Sequence, residues 1–355
     1  MKEILASGGG TVTEAEELCP GALDPPASAD MLPGRNQNWT VCSGSGPRYF
    51  VKRFTGPPAD ARPRMCRALN FERVCAPRMA EISPRILVRD EASLLLAYEL
   101  IEHAATGADL IAETADGADF AARAGRVIGS LHALGAGEAL GNLLPDDVPP
   151  ALPSAELLRG LPLSLFRNCS AGELKAWRLM QEDALLAGAV DRLLAQSEKA
   201  PRVPAHCDLR LDQFMVTPDR LYVIDWEEFR LADAARDVGS FAGECVYHAV
   251  TGWAEPGSAL DSDEDVMQHC VSGIEQARLT IAAFWSAYRA AAHVDDPGLT
   301  ARSTAFAGWH MFDRMLASAR HSVRLSAIQR AAAGIGRGMM TAPADAAATI
   351  GLAPE

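Results

Sequence analysis

The sequence lacks the features that mark a membrane protein, a disulfide-stabilised protein or a zinc protein. It has no run of about 18 apolar residues, which a membrane-spanning helix needs, and its first 20 residues have neither the basic start nor the apolar stretch of a signal peptide. Its eight cysteines are scattered with no Cys-x-x-Cys pair, so neither a disulfide framework nor a zinc site is expected. We therefore expect a cytoplasmic protein whose cysteines are free thiols.

Positive charge is also scarce. With 33 basic and 46 acidic residues, the formal net charge is −13, whereas proteins that bind nucleic acid or anionic membranes need basic surfaces. We therefore expect neither a nucleic-acid partner nor a membrane partner. The chain does have enough material for a core, because 355 residues with 48% hydrophobic content can bury one large core or two lobes.

The distribution of apolar residues divides the chain into three parts. Residues 1–30 are rich in Ala, Gly, Pro and Glu and are expected to form a flexible extension. Residues 31–102 contain short β-like runs and one stretch with helical spacing, which predicts a small sheet with an inserted helix. Residues 103–355 have mainly helical spacing, with short strands and turns over 203–229.

A dense polar cluster lies in AHCDLRLDQF, residues 205–214, ahead of an apolar run that ends in VIDWEEF. Burying charge is costly without a partner, so such a cluster needs either a cation or a chemical task. His206 and Cys207 are adjacent, and adjacent side chains of an extended segment point to opposite faces. A Cys–His nucleophilic pair is therefore not expected.

Three side chains of these two segments are oxygen donors of the kind that Mg²⁺ prefers: Asp208, Gln213 and Asp225. An Asp, an amide five residues later and a second Asp after a short hairpin match the arrangement used in kinase-type phosphoryl transfer. In that chemistry Asp208 accepts the proton of the acceptor hydroxyl, and Gln213 and Asp225 hold the metal on the phosphates.

The segments HCDLRLDQFMV, LYVIDWEEF and DAARDVGSF resemble the HGDxxxxN, IDWE and DPAxDL signature of the aminoglycoside phosphotransferase (APH) superfamily. The resemblance implies an α+β protein with the two-lobed protein-kinase-like fold, in which a small N-terminal antiparallel sheet lobe, residues 31–102, binds nucleotide. A larger, mainly helical C-terminal lobe, residues 103–355, would then be the catalytic and substrate lobe. It also implies an enzyme that uses ATP and Mg²⁺ to phosphorylate an alcohol group. By position, Asp208 resembles the catalytic base, Gln213 stands where the family has its metal-binding Asn, and Asp225 matches the metal-binding Asp. Asp237 matches the acid that closes the signature, for which we expect a structural role, and His206 is expected to orient the loop.

The N-terminal part can supply the groups that anchor the phosphates of ATP. Kinases of this type use a strand lysine on the α- and β-phosphates and a helix glutamate that holds the lysine. FVKRF supplies Lys52 in a β-like run, and LNFERV supplies Glu72 in the following helix, with Glu81 as a nearby alternative.

Two further segments are expected to contact the nucleotide. Residues 98–102, YELIE, resemble the hinge whose backbone holds adenine, which assigns that contact to Glu99 and Ile101. A Gly-x-Gly-x-x-Gly loop is missing, and GRNQNW at 34–39 stands in its place. Gly34, Asn36 and Asn38 tolerate unusual backbone angles and can present backbone N–H groups to phosphate.

Two residues of the polar cluster leave alternatives open. Arg210 can contact the transferring phosphoryl group or an acceptor, and an exposed or structural arginine is an equal alternative. Gln213 keeps the amide oxygen of the family's Asn but adds one methylene, which admits an inactive, kinase-like binding protein. Because Lys52, Asp208 and Asp225 are all present, we expect an active enzyme.

The fold does not determine the acceptor. GRNQNW and FVKRF together with HCDLRLDQF are similar to segments of the phosphotransferase-like proteins of class V lanthipeptide and thioamitide biosynthesis. This resemblance implies that the protein phosphorylates Ser or Thr of a ribosomal precursor peptide and that a partner lyase then eliminates the phosphate. The alternatives are a small-molecule kinase, such as one acting on aminoglycosides, and a non-catalytic module that holds a leader peptide or a partner protein.

Overall fold

The computed structural model describes residues 28–32, 35–42, 48–79, 82–112, 117–135, 155–251 and 262–353. They form two compact units. The first unit takes the described residues up to Ala105 together with Met215–Phe229, and the second takes Thr106–Phe214 and the described residues from Arg230 onward. Within these ranges, no helix combines the length and apolar character needed to cross a membrane.

The sheet of the first unit has five antiparallel strands in the order β1-β2-β3-β5-β4. They are β1 (Ser28–Leu32), β2 (Gln37–Cys42), β3 (Arg48–Arg53), β4 (Ile86–Asp90) and β5 (Leu95–Glu99). Alternate residues such as Trp39, Val41 and Val51 are buried in a core on one face, as the two-residue period of a strand requires. Lys52 is the neighbour of Val51 along β3, so it lies on the opposite face of the sheet.

One long helix, α1 (Pro58–Val74), follows β3 and begins with a proline, which costs nothing there because the first N–H groups of a helix have no intrahelical partner. Its buried side chains include Phe71, Met65 and Arg64. A 3₁₀ turn, Ala76–Arg78, follows. The small sheet with one inserted helix agrees with the sequence pattern.

Two boundaries differ from those expected from the sequence. Residues 28–30 are not part of an extension, because they belong to β1, which pairs with β2 along its whole length; residues 1–27 lie outside the described residues. Residues 215–229, expected in the C-terminal part, belong to the first unit. The Val223 N–H donates to the Ile82 carbonyl at 2.7 Å, and the ring of Trp226 stacks on Phe71 with centroids 3.5 Å apart.

The second unit is mainly helical. Its helices are α2 (Gly107–Ala112), α3 (Gly117–Ala133), α4 (Ala155–Arg159), α5 (Leu163–Asn168), α6 (Ala171–Gln181), α7 (Ala184–Lys199), α8 (Ala235–Thr251), α9 (Asp263–Ala292), α10 (Leu299–Ala319), α11 (Ala327–Thr341) and α12 (Pro343–Thr349). The remaining strands of the chain are β6 (Ala105–Thr106), β7 (Arg202–Ala205), β8 (Phe214–Val216), β9 (Leu221–Val223) and β10 (Arg230–Asp233); of these, β9 and all of β8 except Phe214 belong to the first unit. They form the ladder β6-β8-β9 and the antiparallel pair β7-β10.

Close helix packing in the second unit supports the segment between β7 and β8. A side chain at Gly125 of α3 would place its Cβ 2.2 Å from the Phe284 carbonyl oxygen of α9, so these two helices meet backbone to backbone. Phe284 stacks on Phe241 of α8, which in turn meets Phe214 edge to face with centroids 6.0 Å apart. This aromatic core places the end of residues 205–214 against three helices.

Candidate active site

A cavity of about 290 Å³ in the first unit is lined by most of the residues predicted to bind ATP. They are Asn38, Lys52, Glu99, Ile101 and Asp225. Its apolar walls include Leu32, Phe50 and Ile224, which suit a flat, apolar ring such as adenine. Its volume lies near the lower end, about 300 Å³, of the usual range for ligand sites.

Glu99, in the predicted hinge segment, makes different contacts with its main-chain and side-chain groups. The Glu99 N–H donates to the Arg85 carbonyl at 3.0 Å and continues the sheet. The Glu99 carboxylate forms an ion pair with Arg85 at 3.0 Å. Because the N–H and the carboxylate of Glu99 already have partners, a contact with adenine would use its main-chain carbonyl. The adenine contacts assigned to Glu99 and Ile101 remain predictions.

Lys52 lies at the polar end of the cavity in a buried ionic cluster. Its ammonium contacts the Asp225 carboxylate and lies 2.7 Å from Glu227 Oε2. Asn36 Nδ2 donates to the same Glu227 oxygen at 2.6 Å, and Arg64 Nη1 lies 3.4 Å from Glu227 Oε1 and donates to Asn36 Oδ1 at 2.6 Å. The buried cations Lys52 and Arg64 are thus balanced by Glu227, by the partly exposed Asp225 and by Asp60, whose Oδ2 lies 3.3 Å from Arg64 Nη2, which makes burial of the two cations feasible.

Glu72 does not hold Lys52, contrary to the prediction from the sequence. Among the described residues, the carboxylates within ion-pair distance of Lys52 Nζ are those of Asp225 and Glu227. Glu72 follows Arg64 by eight residues, so it points about 80° away from the face of α1 that carries Arg64. It lines a separate cavity of about 590 Å³, where burial raises the pKa of its carboxyl against the opposing charge of Arg89. Glu81, the alternative, lies outside the described residues.

The two asparagines of the GRNQNW segment differ in what their side chains contact. Asn36 is buried and uses both ends of its amide within the ionic cluster. Asn38 is paired with Lys52 across β2 and β3, and its buried Oδ1 has no hydrogen-bond partner within the described part of the chain. The predicted backbone contacts of both residues with phosphate remain predictions, and Gly34 lies outside the described residues.

In the second unit, the 3₁₀ turn Leu211–Gln213 brings Asp208, Arg210 and Gln213 together. The Arg210 N–H donates to Gln213 Oε1 at 3.1 Å, and Gln213 Nε2 donates to Asp208 Oδ2 at 3.3 Å. Because a backbone N–H can only donate, it fixes which end of the Gln213 amide faces Asp208. The Arg210 guanidinium forms an ion pair with Asp212 at 3.3 Å. The catalytic role of Arg210 and the metal role of Gln213 remain predictions.

Asp237 holds the start of this loop. Its fully buried carboxylate accepts hydrogen bonds from the N–H groups of His206 at 2.7 Å and Cys207 at 2.8 Å, and lies 3.1 Å from His132 Nε2. Burial raises the pKa of Asp237, but the hydrogen bond from His132 and the charges of both histidines outweigh it, so the pKa is lowered. The geometry agrees with the expected structural role. His132, in the LHALG segment, was not identified as its partner from the sequence.

The loop also contains a residue in the left-handed region. Cys207 has a φ of +68°, which glycine adopts readily and other residues rarely do. The family signature has its glycine at this position, and the fold retains that backbone conformation with a cysteine. His206 Nδ1 accepts from the Asp208 N–H at 3.4 Å, which links His206 to the predicted base.

A second cavity, of about 420 Å³, lies in the second unit beside Leu211 of the 3₁₀ turn. Helices α2, α3, α8 and α9 form its other walls, and no Asp, Glu, Lys or Arg is among the described residues that line it. The polar side chains are His248, Gln276 and Thr280. His248 Nε2 lies 3.2 Å from Glu244 Oε1, so a buried carboxylate orients the imidazole.

Residues 34–268 match the phosphotransferase enzyme family, APH. An aminoglycoside phosphotransferase from Alicyclobacillus acidocaldarius aligns with 99% of this chain and 98% of its own, at 14% identity and a TM-score of 0.52. An ethanolamine kinase from Plasmodium vivax aligns with 89% of this chain and 80% of its own, at 15% identity and a TM-score of 0.49. No curated protein sequence matches this chain. The predicted α+β, APH-type fold is confirmed, with a small antiparallel sheet in one unit and a larger, mainly helical unit.

Proposed function

The chain belongs to the phosphotransferase enzyme family; from that premise we propose that it transfers a phosphoryl group from ATP to an alcohol group, and that its acceptor is a Ser or Thr hydroxyl of a ribosomally made precursor peptide. A partner lyase then eliminates the phosphate. The chemistry supports this order of steps, because phosphate is a far better leaving group than hydroxide and β-elimination needs one.

The observation that carries the phosphoryl-transfer assignment is the buried lysine between two carboxylates in a cavity next to the hinge segment. Lys52 binds the α- and β-phosphates of ATP, and Asp225 supplies oxygen ligands of the kind that Mg²⁺ prefers. Gln213 Oε1 accepts the Arg210 N–H with one lone pair and would offer its second lone pair to the metal. Bound Mg²⁺ would neutralise charge on the phosphate oxygens.

The residue at the acceptor is Asp208, which is partly exposed and faces the Gln213 amide. As the acceptor oxygen forms its bond to the γ-phosphorus, Asp208 takes the hydroxyl proton. The bond between the γ-phosphorus and the bridging oxygen breaks, and ADP leaves with that electron pair. His206 and Asp237 keep the loop of Asp208 in place.

The described lining of the cavity beside Leu211, which contains no Asp, Glu, Lys or Arg, supports a neutral acceptor with apolar neighbours. An aminoglycoside carries several ammonium groups, and their binding requires carboxylates to replace the lost hydration. The described lining offers an imidazole, an amide and a hydroxyl instead. Apolar side chains that flank a Ser or Thr fit such a lining, so we favour a peptide over a polycationic small molecule.

The test is mass spectrometry of acceptors incubated with the protein and Mg-ATP. The acceptors are a library of Ser/Thr peptides with varied neighbours, kanamycin and choline. We expect one added phosphate on Ser or Thr peptides with apolar neighbours, lost in Asp208→Asn and kept in the control Asp219→Asn, which alters an exposed acid of the hairpin turn. Phosphorylation of kanamycin or choline without any peptide product would refute the peptide assignment.

A further inference from the structure

The lysine that is expected to bind phosphate is held by an acid from the segment that follows β9, whereas α1 contributes a cation. We propose that Glu227 is the positioning residue for Lys52, and that Arg64 of α1 and Asn36 of the loop before β2 fix Glu227. The inference rests on the proposed function in one respect, namely that Lys52 binds the phosphates of a nucleotide.

The Glu227 carboxylate is held in place by contacts with three other side chains. One of its oxygens lies 2.7 Å from Lys52 Nζ and 2.6 Å from Asn36 Nδ2, and the other lies 3.4 Å from Arg64 Nη1. The side chain of Arg64 is 0% exposed and that of Glu227 is 10% exposed. Withdrawal of the carboxylate would leave two buried cations without their common partner, which is strongly unfavourable.

The backbone turn that contains Glu227 is also held by contacts with α1. Asp225 has a φ of 70° and starts the 3₁₀ turn Trp226–Glu228. Trp226 stacks on Phe71 with an interplanar angle of 4°. Helix α1 therefore fixes this turn twice, through the ring of Phe71 and through the guanidinium of Arg64.

Asp225, whose carboxylate also contacts Lys52, is expected to bind metal as well. Asp225 is the predicted ligand of Mg²⁺, and a divalent cation draws its oxygens away from an ammonium group. Glu227 is anchored by Arg64 and Asn36, so it can keep Lys52 in place whether or not Asp225 binds metal. An acid on α1 is then unnecessary, which explains why Glu72 can face a different cavity.

The test compares two substitutions that shorten a carboxylate by one methylene without a change of charge, Glu227→Asp and Glu72→Asp. Affinities for ADP and for adenosine are measured by calorimetry without divalent metal. Because charge is unchanged, a loss of ADP affinity reports the position of Lys52. We expect Glu227→Asp to weaken ADP binding about tenfold and adenosine binding less than about twofold, and Glu72→Asp to change neither beyond about twofold.

Two further variants remove ambiguity. Lys52→Ala gives the full contribution of the lysine; ADP binding that survives it unchanged would contradict the role of Lys52 in the proposed function. Asn36→Ala removes one hydrogen bond to Glu227 without a change of charge and should weaken ADP binding about threefold. If Glu227→Asp does not fold, this variant tests the role of Glu227 in its place. The inference is overturned if Glu72→Asp weakens ADP binding and the other two do not. Equal losses for ADP and adenosine would also overturn it, because they indicate a merely structural role.

Discussion

Substitution of Asp237 by Asn tests the internal support of the loop that contains the predicted base, Asp208. The carboxylate accepts two backbone N–H groups at 2.7 and 2.8 Å and faces His132 Nε2 at 3.1 Å. An Asn side chain has one oxygen and one amino group, so at least one buried donor would face another donor. Hydrogen bonds to a charged group contribute about 1.5–3 kcal/mol each, and an unpaired buried donor costs about 1–3 kcal/mol. We therefore expect Asp237→Asn to lower the free energy of unfolding by about 3–5 kcal/mol at neutral pH, the range found when one partner of a buried pair is removed.

The assay is urea denaturation followed by far-UV circular dichroism from pH 7 down to about pH 2. The pKa of Asp237 is lowered in the folded protein, so its stabilising contribution is complete above the unfolded value of about 3.9 and is lost as the pH falls through the folded pKa. The difference between the wild type and Asp237→Asn should shrink over the same range. Asp191→Asn, a change at an exposed carboxylate paired with Arg159, should alter stability by less than about 1 kcal/mol. Equal stability of Asp237→Asn and the wild type at pH 7, or a difference that does not change with pH, would refute the reasoning.

Four further substitutions test three other features of the structure. Cys207→Gly should raise the melting temperature slightly, because a φ of +68° costs a non-glycine residue about 1–2 kcal/mol and the greater chain entropy of glycine offsets only about 0.5–1 kcal/mol; a lower melting temperature would contradict this. Gly336→Ala should lower the free energy of unfolding by about 1–3 kcal/mol, since its Cβ would lie 2.7 Å from the Gly308 oxygen. Gly334→Ala on the same helix should raise it by up to about 1 kcal/mol, because the new Cβ would have no described atom within 4 Å. The melting temperatures of the two variants, compared with the wild type, check both directions. Glu244→Gln should cost about 3 kcal/mol in urea denaturation, because the buried Glu244 lies 2.5 Å from His310 and 3.3 Å from Arg314, and a loss below about 1 kcal/mol would contradict the expectation.

The sequence could predict the parts of the site that local pattern determines. Lys52 stands in a short β-like run, and Asp208 and Gln213 stand at fixed spacing in one loop, so residue order alone indicates them. The structure places Lys52 in β3 and joins Asp208 to Gln213 by a hydrogen bond. The order of strand-like and helix-like periods indicated a small sheet with an inserted helix and a mainly helical remainder, whereas the two-lobed fold followed from the resemblance of three segments to the APH signature.

Contacts between distant segments could not be predicted in this way. Arg64 and Glu227 are 163 residues apart, and an arginine in a helix is usually a surface residue. The pattern of a strand lysine followed by a helix acid predicted Glu72, although the Glu72 side chain lies on a face of α1 that points away from Lys52. Glu227 did carry a signal, since it follows Asp225 by two residues in IDWEE, but nothing in the sequence shows that an arginine and an asparagine would bind it.

The two departures from the family signature, Cys207 and Gln213, are accommodated without disruption of the loop. Cys207 adopts the left-handed backbone that glycine would have, and its N–H still donates to Asp237. The Gln213 side chain, one methylene longer than Asn, spans from the Arg210 N–H to the Asp208 carboxylate and is buried. A degraded site would be expected to leave one of these groups without a partner or to lose the charge of Asp208. The retained hydrogen bonds therefore favour an active enzyme over a kinase-like binding protein, with the predicted base held by a side chain that the family signature does not contain.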